Sequence, residues 1–229
     1  RKLKDLFRWA EYLAFDSAHI YAVVKRFGEY PITHLVFDTP NKDARAQYEA
    51  LFNDVMRIKG FLTQASFDKY IYGNCFISVY EPIRRSLVCR KCKTEENIQM
   101  ADYKFHLDRL EFNFKCRKCH YPAAADVLDR KLLQHDRISL IRWDPKLIDI
   151  EHNQITGESV YYYSIPRELM HAVRSGSRTH INHTPMEMLQ AMKERRTFRF
   201  AEGQLYHLKV PGPAGVEVQW GFPPITSAI

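Results

Sequence analysis

At 229 residues the chain has room for one large domain or two small ones, and its 45% hydrophobic against 27% charged residues exclude a disordered or fibrous polymer. No apolar run approaches the roughly 18 residues that cross a bilayer, and Arg1 to Arg8 lack the apolar stretch of a signal peptide, so the expectation is a protein made in the cytoplasm with no membrane partner. The formal charge of +7 and pI of about 9.1 favour polyanionic neighbours, but acidic residues are interspersed and no long basic block occurs, so charge alone reads as a solvated surface.

From the amino end, Leu3, Leu6, Phe7, Ala10, Leu13 and Ala14 recur at helical spacing, and a second helix is predicted over 17–27, ended by Gly28 and Pro31. Asn41 suits an N-cap for a helix carrying Tyr48, Leu51, Phe52 and Val55. A further helix with Phe61, Leu62, Ala65, Phe67 and Tyr70 follows Gly60. Tyr72-Gly73-Asn74 is a turn signal before a strand over 75–80, where Cys75 reads as a small core residue.

Five cysteines are present, and four fall into two identical tetrapeptides, Cys89-Arg90-Lys91-Cys92 and Cys116-Arg117-Lys118-Cys119. Two such knuckles at this separation put four thiolates at the corners of a tetrahedron, the all-sulfur shell that a d10 zinc ion accepts. Iron accepts the same ligands, although nothing here suggests electron transfer. Four protein ligands leave no open position, so the expected Zn2+ is structural, and the Arg and Lys within each knuckle offset the negative charge of the thiolates. Two disulfides or four unrelated buried thiols are the bland alternatives, and disulfides require an oxidising compartment. Between the knuckles the alternation of Phe105 and Leu107, then Leu110, Phe112 and Phe114, predicts short strands, hence a ribbon pinned by metal in place of a core.

Beyond the ribbon, strands are predicted over 138–143, 147–150 and 160–163, the first two separated by the Asp144-Pro145 turn, and Pro166 opens a helix ended by Gly176. Thr184-Pro185-Met186-Glu187 has the form of a capping box for a helix reaching Arg196, with His180 and His183 in the loop before it. Strands near 198–200 and 205–208 follow, and Gly212-Pro213-Ala214-Gly215 is a turn. The expected fold class is α+β, with a helical part over 1–86, the zinc ribbon over 87–122 and a mixed β/α part over 123–229. Phosphate loops, nucleophile elbows and His-Glu-x-x-His helices do not occur. Asp144, Asp149 and Glu151 could hold a magnesium ion, but acidic groups beside a turn are more often solvated or capping. The Tyr161-Tyr162-Tyr163 run could stack on bases, but in a strand its alternate members pack on the core and face solvent. No enzyme is expected.

The order of several phrases resembles the portal proteins of tailed bacteriophages, in particular the large-phage type with a four-cysteine insertion. They are Tyr30-Pro31-Ile32-Thr33, Tyr72-Gly73-Asn74, the two knuckles, Ile141-Arg142-Trp143-Asp144-Pro145, Ile181-Asn182-His183-Thr184-Pro185, Leu205-Tyr206-His207-Leu208-Lys209 and Trp220-Gly221-Phe222-Pro223-Pro224-Ile225. The resemblance spans nearly the whole chain and implies the wing region, with the chain stopping at Ile229 where a stem helix would begin. It further implies a homo-oligomeric ring, typically of twelve subunits, at the portal vertex of a virion. Such a ring meets the major capsid protein, the terminase large subunit, a neck or adaptor protein and, without sequence preference, double-stranded DNA. A zinc-ribbon nucleic-acid factor of replication, transcription or nuclease type is the competing expectation. In it Arg90, Lys91, Arg117 and Lys118 grip phosphates.

Overall fold

A computed structural model describes residues 2–132, 138–211 and 219–228. In chain order the elements are α1 Lys2–Asp16, α2 Ala18–Glu29, α3 Lys42–Glu49 running into a π-helical turn Ala50–Val55, α4 Ile58–Tyr72, β1 Asn74–Tyr80, β2 Ile83–Cys89, β3 Glu95–Asn97, β4 Tyr103–His106, β5 Glu111–Lys115, β6 Pro122–Lys131, β7 Ser139–Trp143, β8 Ile148–His152, β9 Ser159–Tyr163, α5 Arg167–Arg174, α6 Arg178–His183, α7 Met186–Lys193, β10 Phe198–Arg199 and β11 Tyr206–Lys209. This is a mixed α+β fold, as the sequence implied. The chain separates into one unit of residues 1–80, 135–162 and 200–229 and a second of residues 81–134 and 163–199. The Gly212-Pro213-Ala214-Gly215 turn lies outside the described residues.

In the first unit, α1, α2 and α4 bury Phe7, Ala10, Ala14, Val24, Ile71 and Tyr72 in one cluster with Ile225. Ser17 caps α2, and Asn41 caps α3 by accepting from the amides of Asp43 and Ala44. Gly28 does not stop α2. It lies inside the helix, where a Cβ would sit 2.4 Å from the Phe67 ring, so it is a close-packing position against α4. The sheet of this unit has the order β11-β1-β7, antiparallel throughout.

A long-range lock holds the start of that sheet's central strand. Gly73, in the left-handed region at φ 70, ends α4 and directs Asn74 inward. The Asn74 amide donates to the Tyr72 and Gly221 carbonyls, and its Oδ1 accepts from the Gly221 amide and from His207 Nε2 at 2.9 Å. At Gly221 any Cβ would lie 1.9 Å from the Gly73 carbonyl oxygen. Two phrases 147 residues apart, Tyr72-Gly73-Asn74 and Trp220-Gly221-Phe222, are therefore one structural feature.

The second unit is built on a five-stranded antiparallel sheet of order β3-β2-β6-β5-β4. Its long pair, β2 with β6, runs from Ile83 opposite Lys131 to Cys89 opposite Ala125, and so extends beyond the 87–122 span expected for the ribbon. Along β2 the residues 83, 85, 87 and 89 share a face. Arg85 on that face is 1% exposed, and each of its three side-chain nitrogens is hydrogen-bonded. Its Nε and Nη2 fork onto both oxygens of Asp129 at 2.8 and 2.6 Å, while Nη1 donates to the Ile181 carbonyl and Nη2 also to that of Thr184. That guanidinium ties the sheet to the end of α6. The capping box does not form. Thr184 turns its hydroxyl back to donate to the His180 carbonyl at 2.7 Å, and α7 begins after Pro185 without a side-chain cap. His180 and His183 lie in the short helix α6 rather than in a loop.

Candidate metal centre

Cys89 closes β2 and Cys92 follows in the turn; Cys116 follows β5, and Cys119 precedes β6. Since β2 and β5 end, and β6 begins, at the same end of the sheet, both knuckles hang from that end. The two turns repeat one backbone design. Lys93 donates its amide to the Cys89 carbonyl at 2.8 Å and Cys89 donates to Thr94; in the second turn His120 donates to Cys116 at 2.9 Å and Cys116 to Tyr121. Lys93 and His120, each just after the second cysteine of its knuckle, are both left-handed, at φ 56 and φ 55. That conformation costs a side-chain-bearing residue about 1 kcal/mol or more, so two such turns persist only where something holds them.

What the turns bring together is sulfur. The four Sγ atoms lie within 4.8 Å of one another, with Cys89 to Cys119 at 3.7 Å and Cys92 to Cys116 at 3.6 Å. A disulfide would need about 2.05 Å, and all five cysteines are free thiols. A tetrahedral shell at a metal–sulfur distance of about 2.3 Å has edges of about 3.8 Å, close to both short separations. The residues present therefore fit a metal ion bound by four thiolates. Among the described residues this is the one convergence of three or more histidine, cysteine, aspartate or glutamate ligand atoms.

The thiols are not equivalent. Hydrogen bonding to the side chain and backbone of Thr94 draws Cys92 down to about 6. Cys119 receives a lowering hydrogen bond from the Tyr121 backbone, but burial and the neighbouring sulfurs hold it up at about 11. Four thiolates this close together need a cation to offset their charge.

Around the sulfurs, Glu96 on β3 links the knuckles: its Oε1 accepts from the Arg117 amide at 2.6 Å, and its Oε2 lies 3.7 Å from Arg117 Nε. Glu96 thereby anchors the second knuckle from the strand that leaves the first. Arg117 Nη2 also donates to the Met100 carbonyl, and Arg90 Nε pairs with Asp126 at 2.9 Å. Both knuckle arginines are therefore engaged within the ribbon. Lys91 and Lys118 are exposed, with the Lys91 ammonium 5.0 Å from the centroid of the Tyr121 ring.

Other sequence candidates do not converge on a site. Asp144 accepts from the Lys146 amide, Asp149 pairs with Lys4, and Glu151 accepts from the Tyr162 hydroxyl, so each carboxylate has its own partner. Cys75 is buried in β1, where burial pushes its thiol up to about 12. Sequence reasoning missed Thr94, Glu96 and Tyr121, which act through the folded turns. The repeated Cys-x-x-Cys followed by one residue was the signal available for the turns. No helix among the described residues is long and apolar enough to cross a membrane. Comparisons with protein families, with curated proteins and with solved structures find no match to this chain.

Proposed function

We propose that the four cysteines hold one structural Zn2+ and that the chain is the wing region of a tailed-phage portal, a structural and non-enzymatic protein. Four thiolates complete a tetrahedral shell and leave no position for water or substrate, so the ion serves to fix the ribbon. The convergence of the four sulfurs carries the zinc reading. The ordered phrases support the portal reading, and two of them meet physically: Asn74 is bonded to both the amide and the carbonyl of Gly221. In this reading identical subunits, about twelve, close a ring at the capsid vertex. The ring meets the major capsid protein, the terminase, the neck and passing double-stranded DNA.

Native mass spectrometry of the protein, with metal quantified on the same sample, tests this. A closed ring with one zinc per subunit is expected. A monomer or dimer with one zinc would overturn the portal reading, and a ring without metal would overturn the zinc.

A further inference from the structure

The positive charge is not shared between the two units. Residues 81–134 and 163–199 contain 19 Lys and Arg against 11 Asp and Glu, while the rest of the chain contains 15 against 16. That unit, which carries the four knuckle cysteines, thus has a formal charge of +8 against −1 for the rest, and allowing the centre its formal two negative charges leaves it at about +6. Net charge of this size attracts polyanions.

Within that unit the metal end carries exposed cations that no carboxylate offsets among the described residues. Arg90 and Arg117 are matched by Asp126 and Glu96. Lys91, Lys93, Lys115 and Lys118 are exposed and have no carboxylate partner among the described residues. Lys91 and Lys93 stand in and just after the first knuckle, and Lys115 and Lys118 flank Cys116 in the second. The knuckles are joined through sulfurs within 4.8 Å, so the four ammonium groups belong to one end of one sheet. Tyr121, exposed beside Lys91, adds an aromatic surface there.

We propose that these four lysines form a contact site for the phosphate backbone of double-stranded DNA, without base readout. This reassigns the contact from the knuckle arginines, which are exposed but each already set against a carboxylate of the ribbon, to the lysines. The residues that would read bases, planar forks free at a surface, are here the ones already bound. Long flexible lysine side chains instead suit phosphates as point charges. The site rests on the knuckles being closed by metal but not on the ring.

The test is fluorescence anisotropy of the zinc-loaded full chain with a mixed-sequence DNA duplex over a range of salt. Four phosphate contacts give a log–log salt slope of about −3.6, a loss of roughly 100-fold in affinity between 50 and 200 mM salt. The variant K91A/K93A/K115A/K118A should lose about 3 to 4 units of slope. Neutralising Lys25, Arg26, Lys42 and Lys59 of the first unit should change it by less than one. Zinc is measured on every variant. If the quadruple variant loses its metal, K115A/K118A carries the test, with an expected loss of about 2 units at full zinc occupancy. Failure of the chain to bind DNA overturns the site, as does unchanged binding by a zinc-replete lysine variant or equal loss in the first-unit control. Unchanged DNA binding with weakened zinc affinity would mean that the lysines serve only to offset the thiolates.

Discussion

Replacing Arg85 by methionine tests how the second unit is held together. The side chain is fully buried, and its guanidinium donates to two carbonyls, Ile181 and Thr184, and to both oxygens of Asp129. Methionine fills most of the volume but leaves two buried acceptors without donors and Asp129 without its cation. Each orphaned acceptor costs about 1–3 kcal/mol. The carboxylate, with 22% of its side chain exposed, recovers part of its hydration and sits at the low end. A loss of about 3–5 kcal/mol follows, in line with breaking a buried ion pair from one side. R85M/D129L should recover about 1–2 kcal/mol of this by removing the stranded charge, whereas R85K should recover little because an ammonium cannot fork onto the carboxylate and reach both carbonyls. Cobalt-loaded protein gives thiolate absorption that reports on the second unit alone, so urea unfolding followed there isolates the effect from the other unit. A loss under about 1 kcal/mol for Arg85→Met, or no recovery in the double variant, would refute the tie between sheet and helix.

Cys89→Ser should take metal content from one per chain to near zero and abolish the cooperative transition of the second unit, while far-UV dichroism retains the α1, α2 and α4 signal; a strong chelator should do the same to the unmodified chain. Gly221→Ala forces a methyl to 1.9 Å from a backbone oxygen, so it should destabilise the first unit by about 3 kcal/mol or more with metal content unchanged. In the first unit two groups set opposing pH dependences. Burial depresses His207 to about 4, so the unfolded chain binds the extra proton and stability falls as pH drops from about 6.5 towards 4. Burial, partly offset by Arg142, raises Asp68 to about 6, so the folded form holds the extra proton and stability falls as pH rises from about 4 to 6. Thermal unfolding should therefore vary little with pH over this window, and Asp68→Asn should unmask a steady gain in stability from pH 4 to 6.5; a flat profile in that variant would contradict the His207 assignment.

The parts legible in the sequence were those written locally. Cys-x-x-Cys twice, Asn41 before its helix and the alternation through Phe112 and Phe114 each carry their signal within a few residues, and the structure places them accordingly. What was not legible depends on partners far along the chain. Arg85 is a charged residue in a strand until its position on the face of Leu87 and Cys89 is noticed, and its acceptors lie 96 and 99 residues away. Asn74 takes Gly221 from 147 residues away. Strand β6, with Ala123-Ala124-Ala125 and two aspartates, has little intrinsic strand preference and forms because β2 and β5 flank it. The Thr184 hydroxyl had a rival partner to the amide of Glu187 in the His180 carbonyl, one turn back in α6, and it donates there.

X-ray absorption at the metal edge of the purified protein tests the centre most directly. One zinc per chain in a shell of four sulfurs at about 2.3 Å, with no nitrogen or oxygen ligand, is the expected result. An oxygen or nitrogen in that shell, or iron in place of zinc, would contradict a closed structural site, and a protein purified in full yield without metal would contradict the centre itself.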